Sequence, residues 1–520
     1  MAAETTTTAP RSLGNRIGFW LGIVVFFLIY CFGNLSPDNV LVTRMAAVAA
    51  LMAIWWISDA IPLAATSLLP LVLFPLSGIM KGKDVAPVYM NYIIFLFLGG
   101  FLIALAMERW NLHKRIALSI IRLVGSQPSR LVLGFMLATA FLSMWISNTA
   151  TTIMMLAIGL AVIKQAEASY GSEKTKNLGV ALLLGIAYSA SIGGVSTLVG
   201  TPPNLALVRI FELSFPAAAE AGYVITFGQF MLLGLPITIS MLAIVWFVLT
   251  RICFRSTGDL KLAPEVIEDE YRKLGKITYE EKVVLVVFVL TALLWIFRAG
   301  WSSFIPNGAL IDDGTIAIAM AVVLFLIPAQ KTDGQTTTHR TILDAGVFKK
   351  IPWHIILLYG GGFALAKGFQ NSGLTEWVGS YFVGLEGTHP AIIIGLISLT
   401  ITFLTELTSN TATTEMILPL LAAIAAAAKI HPLLLMVPAA LSASFAFMMP
   451  VATPPNAIVF ASGRISIAQM VKAGIVLNLI GVTVITIVFL LIGPTVFDID
   501  PENLPAWVTQ PTAAATAPAK

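Results

Sequence analysis

The sequence is poor in charge and poor in the residues from which most soluble catalytic sites are built. Only 11% of its 520 residues are Asp, Glu, Lys or Arg, and it has five His and two Cys, against a mean hydropathy of +0.89. So little charge excludes a soluble multidomain protein. Cys31 and Cys253 lie far apart near the ends of apolar segments, which excludes a disulfide framework and a Cys-based metal site. His113, His339, His354, His389 and His431 fall in loops or at the ends of apolar runs. Long soluble segments are missing too. The first 16 residues lead into an apolar stretch from Ile17 with no small-residue cleavage pattern behind it, so that stretch reads as a retained first helix. The net charge of +4 sits in short loops, where membrane topology explains it and nucleic acid need not be invoked.

What the chain has is apolar length. Runs of membrane-spanning size recur from about residue 17 to residue 494. Breakers divide them near 17–34, 42–58, 61–79, 92–107, 178–211, 226–250, 283–300, 313–328, 353–369, 433–461 and 466–494, which predicts an all-α polytopic membrane protein with about eleven transmembrane helices. Two further stretches, 131–163 and 390–428, do not fit as single helices. The first would be about 50 Å long against a hydrocarbon core of ~30 Å, and its centre, Ser143 to Thr152, is its most polar part. Split at Ser147-Asn148-Thr149, it becomes two arms of about 24 and 21 Å, the size of a re-entrant hairpin.

Charge sets the sidedness. Arg109, Lys114, Arg115, Arg122 and Arg130 precede the first hairpin and Lys164, Lys174 and Lys176 follow it, so it enters from the cytoplasm. The second has Glu376 and Glu386 before it and only Lys429 close behind, so it enters from outside. Counting through, loops 251–282 and 329–350 fall in the cytoplasm, and the acidic loops at Glu212 and Asp312 fall outside. The N-terminus is then cytoplasmic and the C-terminus external. Lys81 and Lys83 fall outside as a local exception to a statistical rule.

The chain is also repeated. Ser147-Asn148-Thr149-Ala150-Thr151-Thr152 recurs letter for letter as Ser409-Asn410-Thr411-Ala412-Thr413-Thr414. Gly99-Gly100-Phe101 recurs as Gly361-Gly362-Phe363 at the same distance before the Ser, and Thr201-Pro202-Pro203-Asn204 recurs as Thr453-Pro454-Pro455-Asn456 after it. An odd number of crossings separates the copies, so the halves are inverted relative to each other. Each half therefore offers a polar hairpin tip and a helix broken at prolines. Pro202 and Pro203 cannot continue a helical ladder, which predicts unwound backbone near 199–204 and likewise 451–456. Unwound backbone at membrane depth lines a cavity, where helix N-termini suit an anion and free carbonyls suit a cation. A single Ser-Asn-Thr in an apolar helix would read as a cap or an interhelical bond; two copies, each followed by its own break, read as a site for Na⁺ and a carboxylate. The glycine pairs read as close-packing positions.

Intramembrane charge is sparse. Glu406 stands where the first repeat has Met144, and either contributes field at a cation site or holds the hairpin by hydrogen bonds. Lys367 and Glu415 read as nearer helix ends, where snorkelling or an ion pair explains them.

The paired Ser-Asn-Thr and Thr-Pro-Pro-Asn motifs resemble those of the divalent-anion/sodium symporters, carriers of dicarboxylates, citrate or sulfate, and the stretch from Ala443 to Val459 resembles that family's signature around the second break. The likeness covers nearly the whole chain. It implies a first sodium site from Ser143, Ser147, Asn148 and the backbone near Gly200, and a second from Thr405, Thr408, Ser409, Asn410 and Ala452. At Thr408 family members usually have a small residue such as Ala, a change without effect if its role is a backbone carbonyl. Substrate carboxylates would meet Ser147, Asn148, Thr149, Ser409, Asn410 and Thr411, with Thr201, Thr453 and Pro454 beside them. Oxygen ligands suit a hard cation such as Na⁺, and bound sodium offsets a dianion where no Arg or Lys is at hand.

The resemblance further implies an elevator-type homodimer in the plasma membrane, surrounded by lipid, with a fixed scaffold and a moving transport domain. On that scheme 1–16 is a disordered tail, 17–107 and 283–369 are the scaffold helices of the two repeats, and 108–250 and 370–494 carry the hairpins and transport helices. Residues 251–282 form a cytoplasmic linker and 495–520 a tail, disordered from about Pro505. The function implied is sodium-coupled symport of C4-type dicarboxylates such as succinate, malate and fumarate. The alternatives are a dicarboxylate exchanger on the same fold, or citrate or sulfate as main substrate. An intramembrane hydrolase built on Ser147 or Ser409 would need a base, and neither hairpin contains a histidine; a channel fits two closed tips less well than alternating access does.

Overall fold

The computed structural model describes residues 13–125, 127–255, 265–330, 341–385, 389–500 and 503–509. It is all-helical; the only paired extended backbone among the described residues is an isolated bridge between Pro328 and Thr341. Among the described residues eight helices are long and apolar enough to cross a membrane, including Leu13–Phe32, Val40–Ser58, Ser172–Gly194 and Ile467–Val496. Helix starts follow local chemistry. Thr226 with Gln229, Thr278 with Glu281 and Ser466 with Gln469 form capping boxes, which satisfy two backbone donors at each start.

Both stretches that fail as single helices fold as helical hairpins. Their first arms, Pro128–Ser143 and Pro390–Thr405, each have 16 residues and begin on a proline, whose missing N–H costs nothing in a first turn. Their second arms, Asn148–Tyr170 and Asn410–Ala427, start at the repeated motif. The arm from Asn148 has 23 residues rather than ending at 163, because the helix continues through Lys164 and Glu167 into the basic flank.

Each hairpin is followed by a broken helix. The first runs Ser172–Gly194 and resumes at Pro202–Ser214; the second runs Leu433–Ala443 and resumes at Pro454–Phe460. The breaks begin earlier than the prolines suggest, at 195–201 and 444–453, and the prolines lie inside the resumed helices. The reason is again the first turn: a proline there initiates a helix instead of ending one. Thr201 and Thr453, the residues before them, adopt nearly the same extended conformation (φ −145°, ψ 144° and φ −139°, ψ 149°).

Packing brings the halves together crosswise. Pro202–Ser214 packs on Asn410–Ala427 of the second hairpin, and Pro454–Phe460 packs on Asn148–Tyr170 of the first. Ser172–Gly194 is the axis of this assembly, buried at every residue from Leu178 on. Tyr188 on it donates to Phe447 O in the second break at 2.7 Å. The two glycine-pair helices, Tyr92–Arg109 and Trp353–Ser372, are close-approach surfaces: a Cβ at Gly99 would strike the Ala317 backbone, and one at Gly361 would strike Ser67.

Three sequence expectations change. The crossing at 61–79 is two short helices, Leu63–Thr66 and Leu69–Ser77. Helix begins at Leu13, inside the stretch expected to be a disordered tail. Beyond Pro505 the turn Ala506–Thr509 is docked, with Trp507 and Val508 buried and the indole against Phe211, Phe215, Tyr223 and His431. Residues 1–12, Glu386, the centre of loop 329–350 and the rest of the C-terminal tail lie outside the described residues. An amphipathic helix that hydropathy does not flag, Leu112–Val124, precedes the first hairpin and is tied to the linker helix Glu265–Lys273 by Lys114–Glu270 (2.7 Å) and Arg122–Glu268 (2.9 Å).

Candidate functional site: two tips and two breaks

At the first tip Ser147 caps the second arm, accepting from Ala150 N at 3.2 Å. Asn148 opens that arm and turns its amide into the break. Ser143 lies between them, its Oγ 2.5 Å from the Asn148 amide and donating to Ala190 O at 2.7 Å. The same amide atom is 3.2 Å from both Ala190 O and Gly200 O. With nitrogen there, the amide donates to two carbonyls; with oxygen there, Asn148 Oδ1, Ser143 Oγ, Ala190 O and Gly200 O converge as hard ligands do around a small cation. The contact is this close because Gly194 and Gly200 face each other without side chains; a Cβ on either would strike the other's backbone or the amide.

The second tip repeats the plan with different fillings. Ser409 opens the arm in the same extended conformation, without a side-chain cap. Thr414 donates to Asn410 O at 2.7 Å, as Thr152 does to Asn148 O. Asn410 Oδ1 is buried and has no protein partner. Thr405, in the place of Ser143, is fully buried and donates to Thr402 O at 3.1 Å. Thr408 bonds within the hairpin, to Leu404 O at 2.9 Å and Thr413 Oγ1 at 2.7 Å, so its hydroxyl is committed and its backbone is what it can offer. Ala452 is buried in the second break.

Glu406 holds the hairpin. Its two oxygens accept Met448 N and Met449 N, each at 2.9 Å, and Asn478 Nδ2 at 2.6 Å. In the first repeat Thr197 Oγ1 donates to Met144 O at 2.5 Å and closes the same gap by a different bond. Both acidic oxygens of Glu406 are thus directed at the break.

Each break is clasped by the Asn of its Thr-Pro-Pro-Asn. Asn204 Nδ2 donates to Gly194 O (3.2 Å) and Thr197 O (2.7 Å); Asn456 Nδ2 donates to Ala446 O and Met449 O, both 3.0 Å. The partners stand ten and seven residues upstream in both copies. Sequence reasoning missed these two as well as Ala190 and Asn478. The doubled motif already contained both clasps, and Asn478 is an amide well inside the apolar helix Ile467–Val496, whose other amide, Gln469, lies in the first turn.

Ser147, Asn148 and Thr149, like Ser409, Asn410 and Thr411, are half-exposed at their tips; Thr201 and Thr453 are buried, and Pro454 is exposed. Among the described residues no three His, Cys, Asp or Glu side chains come together, so the donors at hand are hydroxyl, amide and main-chain oxygens.

This arrangement has known counterparts. Residues 16–499 match the family model described as the sodium:sulfate symporter transmembrane region. The chain belongs to that symporter family. Within the family's range of sequences it is 45% identical to the sodium-dependent dicarboxylate transporter SdcS of Staphylococcus saprophyticus, over 96% of this chain and 94% of the relative. It is 46% identical to SdcS of Staphylococcus aureus strain USA300, over 94% of each. The fold is similar to the crystal structure of the YdaH transporter of Alcanivorax borkumensis, with a TM-score of 0.52 at 12% identity over 94% of this chain and all of that one.

Proposed function

We propose that this protein is a plasma-membrane symporter that couples sodium to the uptake of C4-type dicarboxylates, with succinate, malate and fumarate as the class. The observation that carries the reading is the doubled tip-and-break, in which Ser143 Oγ, Asn148, Ala190 O and Gly200 O converge beside a half-exposed Ser-Asn-Thr. The SdcS relatives are sodium-dependent dicarboxylate transporters, which points the same way.

On this reading one sodium ion sits among Ser143, Ser147, Asn148 and the Gly200 carbonyl. A second sits among Thr405, Thr408, Ser409, Asn410 and Ala452. The dianion lies between the tips, its carboxylates on Ser147, Asn148, Thr149, Ser409, Asn410 and Thr411, flanked by Thr201, Thr453 and Pro454. Four helices begin at these motifs, and their N-terminal N–H groups favour an anion. The two cations supply the charge that no Lys or Arg of the motifs provides. About eleven crossings and two re-entrant hairpins divide into a scaffold, 17–107 and 283–369, and a transport unit, 108–250 and 370–494, which carries the site across by an elevator movement within a homodimer. Labelled succinate, citrate and sulfate, offered to proteoliposomes with and without a sodium gradient, test this. Succinate uptake driven by sodium is expected; equal uptake without the gradient removes symport, and preferred sulfate or citrate removes the C4 class.

A further inference from the structure

The second hairpin carries a carboxylate that the cycle above does not use. Glu415 lies one and a half turns into Asn410–Ala427, is fully buried, and has no hydrogen-bond partner at either oxygen. It lies near the start of its helix, as its place in the sequence suggests, but it neither snorkels to a surface nor pairs with a cation. Its carboxylate rests on Gly362 of Trp353–Ser372, where any side chain would collide with it.

The surrounding charges are engaged elsewhere or have the wrong sign. Arg209 on Pro202–Ser214 pairs with Glu212 at 3.1 Å, Lys367 donates to Gln370 at 3.3 Å, and Arg44 on Val40–Ser58 donates to Ser77 O at 2.9 Å. Glu376 and Glu406 on neighbouring elements are acids themselves, and His431 packs against Tyr223 and Trp507. The titratable group that faces Glu415 is Tyr359, whose hydroxyl donates to Pro202 O at 3.2 Å. The first repeat has exposed Ile153 in the equivalent place, so the hairpin fold itself does not require an acid there.

We propose that Glu415 is a third cation site of this carrier, loaded once per cycle with one monovalent cation, a proton or Na⁺. A buried carboxylate without a partner is costly, and such groups are either neutralised or paired. An intramembrane carboxylate with no protein counter-ion is a functional group by default. Its position adds a reason: it lies on the face where the second hairpin meets the glycine-pair helix, the surface along which the transport unit would slide. Charge there must be cancelled during the passage and can be exposed again at its ends. The proposal rests on the symport reading for the two tip sites but not for its own chemistry.

The test is the charge moved per succinate in proteoliposomes, read as the membrane potential at which a fixed succinate gradient gives no net flux, for wild type and Glu415→Gln. Gln keeps the size without the charge. One positive charge fewer per succinate is expected in the variant, whose flux then has no nulling potential and does not respond to voltage; a variant that reverses at the wild-type potential overturns the proposal. A pH gradient at zero sodium gradient, and the converse, identify the cation: the coupling lost in the variant is the proton's or the sodium ion's, and loss of neither refutes the site. Protonation of succinate itself affects both proteins alike and cancels. If the variant does not assemble, wild type decides alone, since two sodium ions and a dianion move no net charge. Uptake accelerated by an inside-negative potential then supports the third cation, and uptake indifferent to potential overturns it. Failure of the symport reading is separate, because it appears as wild-type uptake without any sodium dependence.

Discussion

At Asn148 one amide serves two purposes that cannot be separated by eye. It lies 3.2 Å from the Ala190 carbonyl of helix Ser172–Gly194 and from the Gly200 carbonyl of the break, and 2.5 Å from Ser143 Oγ, so it shapes the loop and, on the proposed reading, supplies a ligand. Asn148→Ala is expected to raise the sodium concentration for half-maximal uptake roughly tenfold, and to weaken substrate in parallel, since coupled ligands share one interaction energy. Uptake against sodium at fixed succinate measures the first effect, and uptake against succinate at saturating sodium the second. A change in one without the other would sink the linkage. Glu406 offers a cleaner contrast. In Glu406→Ala the Met448 and Met449 N–H groups and the Asn478 amide lose their acceptor, each a loss of ~1–3 kcal/mol when buried. Glu406→Gln keeps one acceptor oxygen and should lose less. Thermal unfolding in detergent orders them wild type, Gln, Ala; an Ala variant that melts with the wild type would remove the tie.

At the scale of the element, the breaks are held by the same device twice, which makes the two copies a built-in control. Asn204→Ala and Asn456→Ala each remove two buried hydrogen bonds that clasp a break, and each should destabilise by ~2 kcal/mol, a comparable fall in unfolding temperature. If the hairpin of Pro128–Ser143 and Asn148–Tyr170 is re-entrant, its flanks share one side of the membrane. Leu123→Cys and Lys164→Cys, in a background without Cys31 and Cys253, should both label from the cytoplasm, and labelling from opposite faces would make the hairpin a crossing. On the linker, hydrogen bonds from Lys114 and then Lys273 hold the Glu270 carboxyl below the usual carboxylate range. A depressed carboxyl stabilises the charged, folded form above that range and loses the benefit as pH falls through it. Helix Glu265–Lys273 should therefore lose protection of its amide hydrogens in acid, read as the exchange rate relative to the intrinsic rate at the same pH, while Lys114→Ala should already lower that protection at neutral pH.

These elements also show what the sequence discloses. The hairpins and breaks are legible because a repeated polar tip and a repeated proline pair interrupt otherwise apolar runs. The extent of the breaks is not, because a proline starts a helix as readily as it stops one, and only the upstream residues reveal which. Leu112–Val124 stays hidden since its apolar residues occupy one face rather than a run. Glu415 is misread for a related reason: position along a helix says how deep a residue lies, but not that the face it occupies meets a glycine of another helix.

For the whole molecule the decisive question is whether anion and cation need each other. The crosswise packing of Pro202–Ser214 on the second hairpin and Pro454–Phe460 on the first means that the second arm of each hairpin rests on an element of the other half. Tyr188 donates to Phe447 in the second break, and Tyr359 to Pro202 at the start of the helix that follows the first. Neither hairpin can rearrange without disturbing an element of the other half, so on the proposed symport reading binding at one cation site would be transmitted to the substrate through packed contacts. No Lys or Arg occurs in the tip or break motifs, and even a single charge at mid-membrane depth costs ~2.5–3.5 kcal/mol on insertion scales. A dianion without sodium should consequently bind very weakly. Wild-type succinate binding, measured by calorimetry in choline buffer and again in sodium buffer, is expected to differ by roughly a hundredfold, within the ordinary span of coupling energies. Sodium binding must tighten by the same factor when succinate is present. Equal succinate affinity in the two buffers would refute symport and transfer the same fold to an exchanger, in which a second carboxylate and not sodium drives the return.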